Sequence, residues 1–211
     1  MTRKQNDICE NENRADKRGK FFDEAAKIIR VFTTAPVVSF VLFTVLYFVI
    51  PGLATHTEYF VTVLFYTALP LCAYPLHLAV PFLRKKGRHG QRTLAMIMAY
   101  AGYLLSLLYG VVAGVSRLLL ILYLAYVLSC SILLIIDKLF GFHASGHACG
   151  LCGPVAELIY FTGWYSLIWG AALFALVLWS SLRMKRHTVP QFILGGAVSV
   201  AVFLLLAVFV I

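Results

Sequence analysis

Charge is what this chain has least of. Only 13% of its 211 residues are Asp, Glu, Lys or Arg, against roughly 25% in a soluble globular domain. Hydrophobic residues make up 61%, gathered into runs long enough to cross a bilayer, so a soluble domain is excluded and a polytopic membrane protein of one domain is implied. Cysteine is sparse and odd in number. The five (Cys9, Cys72, Cys130, Cys149 and Cys152) have no framework spacing, which excludes a disulfide scaffold. A secretory signal is also lacking: the N-terminus is a mixed-charge polar stretch, and the first apolar run, from about residue 37, does not end in a small-residue cleavage site. There is no internal repeat of the kind expected of a transporter.

What charge exists is placed unevenly. The formal net charge is +9, yet its distribution argues against a nucleic-acid partner. Eight of the eighteen Lys and Arg lie in residues 1–36, together with six of the nine acids. Beyond them, eight of the remaining ten basic residues occupy two loops: Arg84, Lys85, Lys86, Arg88 and Arg92, then Arg183, Lys185 and Arg186.

The pattern predicts a disordered tail over residues 1–20 and a short amphipathic helix at the membrane surface over 21–33, where apolar positions recur at helical spacing. Spans are expected at about 37–55, 59–82, 94–113, 117–136, 147–162, 165–182 and 190–211. The fifth falls short of the ~20 residues a bilayer asks for. The expected fold is therefore an all-α, polytopic transmembrane helical bundle of six to seven spans. Residues 1–36 form a polar tail with an interfacial helix, and 37–211 form the membrane domain. The excess of Lys and Arg places the tail and the two basic loops on the cytoplasmic side of a multi-pass protein of the cell membrane.

Three polar islands interrupt the apolar chain, each at the end of a run. An even number of spans separates them, so they share one face. In the first, Lys85 and Arg92 bracket six residues; an Arg fork grips two phosphate oxygens and a Lys supplies a point charge. Alone, such a run is a positive-inside loop. The second is Ala144-Ser145-Gly146-His147. Ser145 suits a helix N-cap, Gly146 permits close backbone approach, and the free N–H groups of a helix start attract an anion. His147 is placed there to protonate a leaving oxygen. Alone, these residues are a cap and an interfacial histidine. The third runs from Arg183 to Gln191. His187 is a candidate nucleophile for phosphorus, with Gln191 one helical turn on to fix its tautomer. Alone, it is another basic loop.

Taken in order, the islands resemble the type 2 phosphatidic acid phosphatase (PAP2) superfamily, whose pattern is K-x6-RP, PSGH and SR-x5-H-x3-D. Here the matching residues are Lys85-x6-Arg92-Thr93, Ala144-Ser145-Gly146-His147 and Ser180-Ser181-x5-His187-x3-Gln191. The run His187-Thr188-x2-Gln191-x3-Gly195, after Arg186, looks like a sub-branch of that family. The resemblance implies an α-helical bundle in which His187 is the nucleophile and His147 the general acid. It assigns phosphate binding to Lys85, Arg92, Ser145 and the Gly146 backbone, with no metal or other cofactor. Thr93 replaces a proline. Ser181 replaces a phosphate-binding arginine, for which Arg183 is the candidate substitute. Gln191 replaces the orienting aspartate.

The expected activity is hydrolysis of lipid phosphate mono- or diphosphate esters, phosphatidate-like or polyprenyl, through a phosphohistidine. The lipid phosphate and the bilayer are the expected partners. A catalytically weak relative that only binds lipid phosphate, and a phosphotransferase using the same intermediate, are the alternatives. Cys149 and Cys152 are expected to pack as small apolar groups. Glu157, an ionisable group inside an apolar run, is a functional candidate by position. Asp137 is expected to be a solvated loop residue, and His56 and His77 to pack or face the interface.

Overall fold

The computed structural model describes residues 19–85 and 87–210. Most of the tail expected to be disordered lies outside them. The described chain is helical, without strands. α1 is Gly19–Phe32 and α2 is Ala35–Val49. α3 runs from His56 to Ala79, α4 is Pro81–Lys85 and α5 is Gly87–Ala113. α6 is Arg117–Phe140, α7 Gly146–Thr162, α8 Tyr165–Arg183 and α9 Val189–Val210. Helix is the outcome that long apolar runs force in lipid, because it satisfies every backbone polar group within its own segment.

Five of these helices (α3, α5, α6, α8 and α9) are long and apolar enough to cross a membrane, and α1 with α2 makes a sixth if the pair, bent by 51°, is one span. Two expected spans therefore differ in form. The first is a 15-residue helix that begins with Pro36 near its N-terminus. The fifth is α7, whose 17 residues rise only about 25 Å at 1.5 Å per residue.

α7 is short because it is central. It packs against α2, α6, α8 and α9, and its small residues allow close approach. A Cβ on Gly150 would lie 2.4 Å from the Cβ of Ala35 on α2. Such small-residue contacts replace the hydrophobic drive that lipid does not supply. Beside it, α2, α3, α5 and α6 enclose an aromatic core. Phe43, Tyr66, Tyr103, Tyr123 and Tyr126 meet at ring centroid separations from 4.8 to 6.3 Å. Their hydroxyls need partners away from water: Ser39 Oγ donates to the Tyr126 hydroxyl at 3.0 Å, and Thr62 bonds Tyr123. Outward, by contrast, the bundle shows large apolar side chains such as Phe48, Val112, Trp169 and Phe209, as a lipid-facing surface does.

Candidate functional site

The starts of α2, α5, α7 and α9 open at one end of the bundle around a single cleft of about 260 Å³. Arg92, Gly146, His147 and His187 all line it. Two islands are joined through the backbone. The Ser145 N–H donates to the Gln191 carbonyl at 2.9 Å, and α9 approaches so closely that a Cβ on Gly195 would sit 2.2 Å from the Ser145 carbonyl oxygen. Only glycine fits there, which gives the spacing from Gln191 to Gly195 a steric cause.

The cleft has a further occupant that the islands do not include. α1 lies across the opening with Ala26, Ile29, Arg30 and Thr33 turned inward, the i, i+3, i+4, i+7 spacing of one helix face. Ala26 is fully buried and Thr33 nearly so, whereas Phe21, Phe22, Ile28, Val31 and Phe32 are exposed. α1 is fastened to α8 in three places. Ser180 Oγ donates to the Ala26 carbonyl at 2.7 Å, Phe22 packs edge-on against Trp179, and Arg183 Nε donates to Asp23 at 2.8 Å.

Arg30 lines the cleft with the two histidines. Its Nη1 is buried and makes no hydrogen bond. Among the described residues neither Arg30 nor Arg92 has an acidic partner within salt-bridge distance. A buried guanidinium nitrogen without an acceptor is costly, and two unpaired arginines beside two histidines form a receptor for an anion. From the sequence, Arg30 is one charge in an amphipathic helix. The available signal is that it shares the 26/29/30/33 stripe, the one face of that helix without a large aromatic side chain.

His147 is held by Thr33, whose Oγ1 lies 3.2 Å from its Nε2. That hydroxyl donates its only proton to the Ile29 carbonyl at 2.7 Å, so it offers His147 a lone pair. Nε2 therefore carries the proton in the resting site. His187 sits in the loop before α9. Burial and the charges of Arg92, Arg30 and Arg186 push its pKa down to about 4, opposed by the neighbouring Gln191 amide. It is thus a neutral imidazole at neutral pH.

The remaining expectations divide. Ser145 is fully buried, does not line the cleft, and its Oγ accepts from the Ala148 N–H at 3.2 Å; it caps α7. Gln191 spends its Oε1 on the Thr188 N–H at 3.0 Å, half of a Thr-x-x-Gln capping box, while also acting on the His187 ring. Lys85 ends the short helix α4, is exposed and lies outside the cleft. Arg183 is held by Asp23 and the Gly19 carbonyl and does not line the cleft. Ser181 is fully buried against that joint. Asp137 lies in the last turn of α6 rather than in a loop, lines the cleft and pairs with His143. Cys152 packs where a Cβ on Gly196 would approach its Sγ to 2.7 Å. Among the described residues no cluster of three His, Cys, Asp or Glu is suited to a metal ion.

Below the charged mouth the cleft continues between apolar side chains, including Met96, Ala99, Leu133, Leu134 and Pro154. The arrangement can hold a phosphate at the surface and an attached chain inside the bundle. No protein-family model, curated protein or solved structure matches the chain.

Proposed function

We propose that the protein is an integral-membrane lipid phosphate phosphatase. The observation that carries this is the meeting of His147, His187, Arg30 and Arg92 in one cleft that runs on into an apolar channel. The arginines neutralise the phosphate oxygens, and the channel receives the hydrocarbon. The His187 ring attacks phosphorus in line, and the phosphorus–oxygen bond to the lipid breaks. The leaving oxygen takes a proton from His147, which first accepts it from the acidic oxygen of the bound phosphate monoanion. Water then attacks the phosphohistidine, giving its proton to His147 and releasing inorganic phosphate and the His187 ring. Neutral His187 is ready to act without a prior deprotonation. The basic loops support a site on the cytoplasmic face of the cell membrane.

The test is phosphate release by the purified protein in detergent from a panel of lipid monophosphates and diphosphates. Wild type should release phosphate, and His187→Ala should abolish it. Silence of the wild type across pH, or full activity of the variant, refutes the activity. One observation favours a second reading, lipid phosphate binding with little turnover: Gln191 is engaged as a helix cap, and an amide lends no charge to an imidazolium. Headgroup binding that persists in His187→Ala, with no turnover by wild type, selects it.

A further inference from the structure

The cleft does not end in hydrocarbon. His147, Gly150, Gly153, Pro154 and Glu157 form one wall of it along α7. Glu157 is ten residues beyond His147, about 15 Å deeper at 1.5 Å per residue. Its side chain is 1% exposed, and its Oε2 makes no hydrogen bond. Among the described residues it has no basic partner within salt-bridge distance. Tyr126 lies within its electrostatic reach, and Ser129 lines the same cleft.

A carboxyl left unmatched in such a place costs folding free energy, so its position on a cavity wall calls for a partner in the cavity. Burying it ionised and unpaired is far costlier than burying the neutral acid, and the acid is the form to match. A neutral acid offers one O–H donor and a carbonyl acceptor. A hydroxyl is the small group that satisfies both. At about 260 Å³ the cavity lies at the small end of ligand sites, which run to ~300–1,000 Å³; it seats one chain rather than two.

We propose that Glu157 forms a second recognition point in the cleft, and that the preferred ligand is a single-chain amphiphile with a phosphate at one end and a hydroxyl about 15 Å away, roughly a dozen chain atoms at C–C bond lengths near 1.5 Å. This rests on the phosphate site proposed above and adds a specificity determinant to it. A site built around a hydroxyl discriminates against the analogue that lacks it, because its own polar group is left unpaired.

The experiment compares hexadecyl phosphate with 12-hydroxyhexadecyl phosphate on the purified full chain. Phosphate release gives kcat/KM for each, and the rise in melting temperature gives binding independently of turnover. In wild type the hydroxylated probe should be favoured by about tenfold, the weight of one buried hydrogen bond. Glu157→Leu should bring the ratio to about one, and Glu157→Gln, which keeps a donor and an acceptor, should retain most of the preference. Equal kcat/KM and equal stabilisation for the two probes in wild type overturn the proposal without recourse to any variant. So does an unchanged preference in Glu157→Leu. If wild type binds the hydroxylated probe selectively yet releases no phosphate, the subsite stands and the phosphatase activity falls.

Discussion

Replacing Arg30 by alanine removes a cation that belongs to no ion pair within the protein. A guanidinium fork contributes charge-assisted hydrogen bonds of about 1.5–3 kcal/mol each to phosphate oxygens. Losing one or two of them, a total of about 1.5–6 kcal/mol, corresponds to a fall of roughly ten- to ten-thousandfold in kcat/KM, at about 1.4 kcal/mol per factor of ten. Arg30→Lys keeps a point charge without the fork and should recover part of the loss. Stability should respond differently. Nη1 has no hydrogen bond to forfeit, so unfolding free energy should stay within about 1 kcal/mol of wild type, as for substitutions that break no network. A second signature is electrostatic. Arg30 is one of the charges that depress His187, so in Arg30→Ala the histidine should titrate closer to its ordinary range and the acid limb of kcat/KM should move up in pH. The assay is phosphate release across pH, with thermal unfolding alongside. A kcat/KM within threefold of wild type, with the limb unmoved, would refute contact between Arg30 and the phosphate. A collapse of stability that parallels the loss of activity would instead make Arg30 a structural tie.

Three further outcomes follow from the same geometry. The His187 pKa is about 4, below its unfolded value of about 6.5. Between the two the unfolded state binds the extra proton, so the His187 contribution should lower stability as pH falls through that window and level off below it; chemical unfolding of wild type against His187→Gln measures it, and no difference in slope refutes the burial of a neutral ring. The acid limb assigned to His187 in kcat/KM should likewise fall near pH 4, and a limb at 6 to 7 contradicts it. Gly195→Ala drives a Cβ to 2.2 Å from the Ser145 carbonyl oxygen, a backbone atom that cannot swing aside. It should cost about 1–3 kcal/mol of stability and most of the activity, with wild-type melting and turnover as the contrary result. Lys85→Ala, outside the cleft, should leave kcat/KM within a factor of two or three, whereas a loss comparable to that of Arg92→Ala would bring Lys85 back to the phosphate.

The apolar runs and their spacing made the helical bundle legible, because lipid leaves the chain few alternatives. Parity made the shared face legible as well: with two spans between islands, Arg92, Gly146, His147 and His187 had to open on one side. Side-chain destinations were less accessible. Arg183 stands one turn before His187 and reads as its neighbour, yet Asp23, 160 residues away in sequence, captures it. Lys85 satisfies the spacing to Arg92, but the backbone between them turns at Gly87, whose φ is +56°, and Lys85 lies outside the cleft. Ser145 was readable as a cap and is one. Gln191 carried an unused signal, since Thr188-x-x-Gln191 at the start of an apolar run is a capping-box pattern. Arg30 was hidden by a reversal. In a soluble amphipathic helix the polar stripe faces water and the apolar one the protein; in α1 the phenylalanines face outward and the arginine points into the bundle.

That reversal bears on two of the three departures from the pattern the sequence resembles, Ser181 and Gln191, because they are not equivalent. Where the pattern would place an arginine, Ser181 is buried without a partner for its Oγ, and Ser180 beside it bonds the α1 backbone. Two small side chains there let α1 lie against the end of α8, and α1 brings Arg30 to the cleft. Under the proposed function the cation is therefore relocated to another helix, and it depends on that helix staying seated. The seat is partly the bilayer's own work: Phe21, Phe32 and Val31 are exposed on the outer face and gain by burial in lipid, while Asp23 and Arg183 fix the helix at its start. Gln191 has no such replacement. Among the described residues no carboxylate acts on His187, so under the proposed function an imidazolium formed there is stabilised by the bound phosphate itself. On that reading charge recognition is kept by Arg30, and the tempering of the nucleophile is the part left to the substrate.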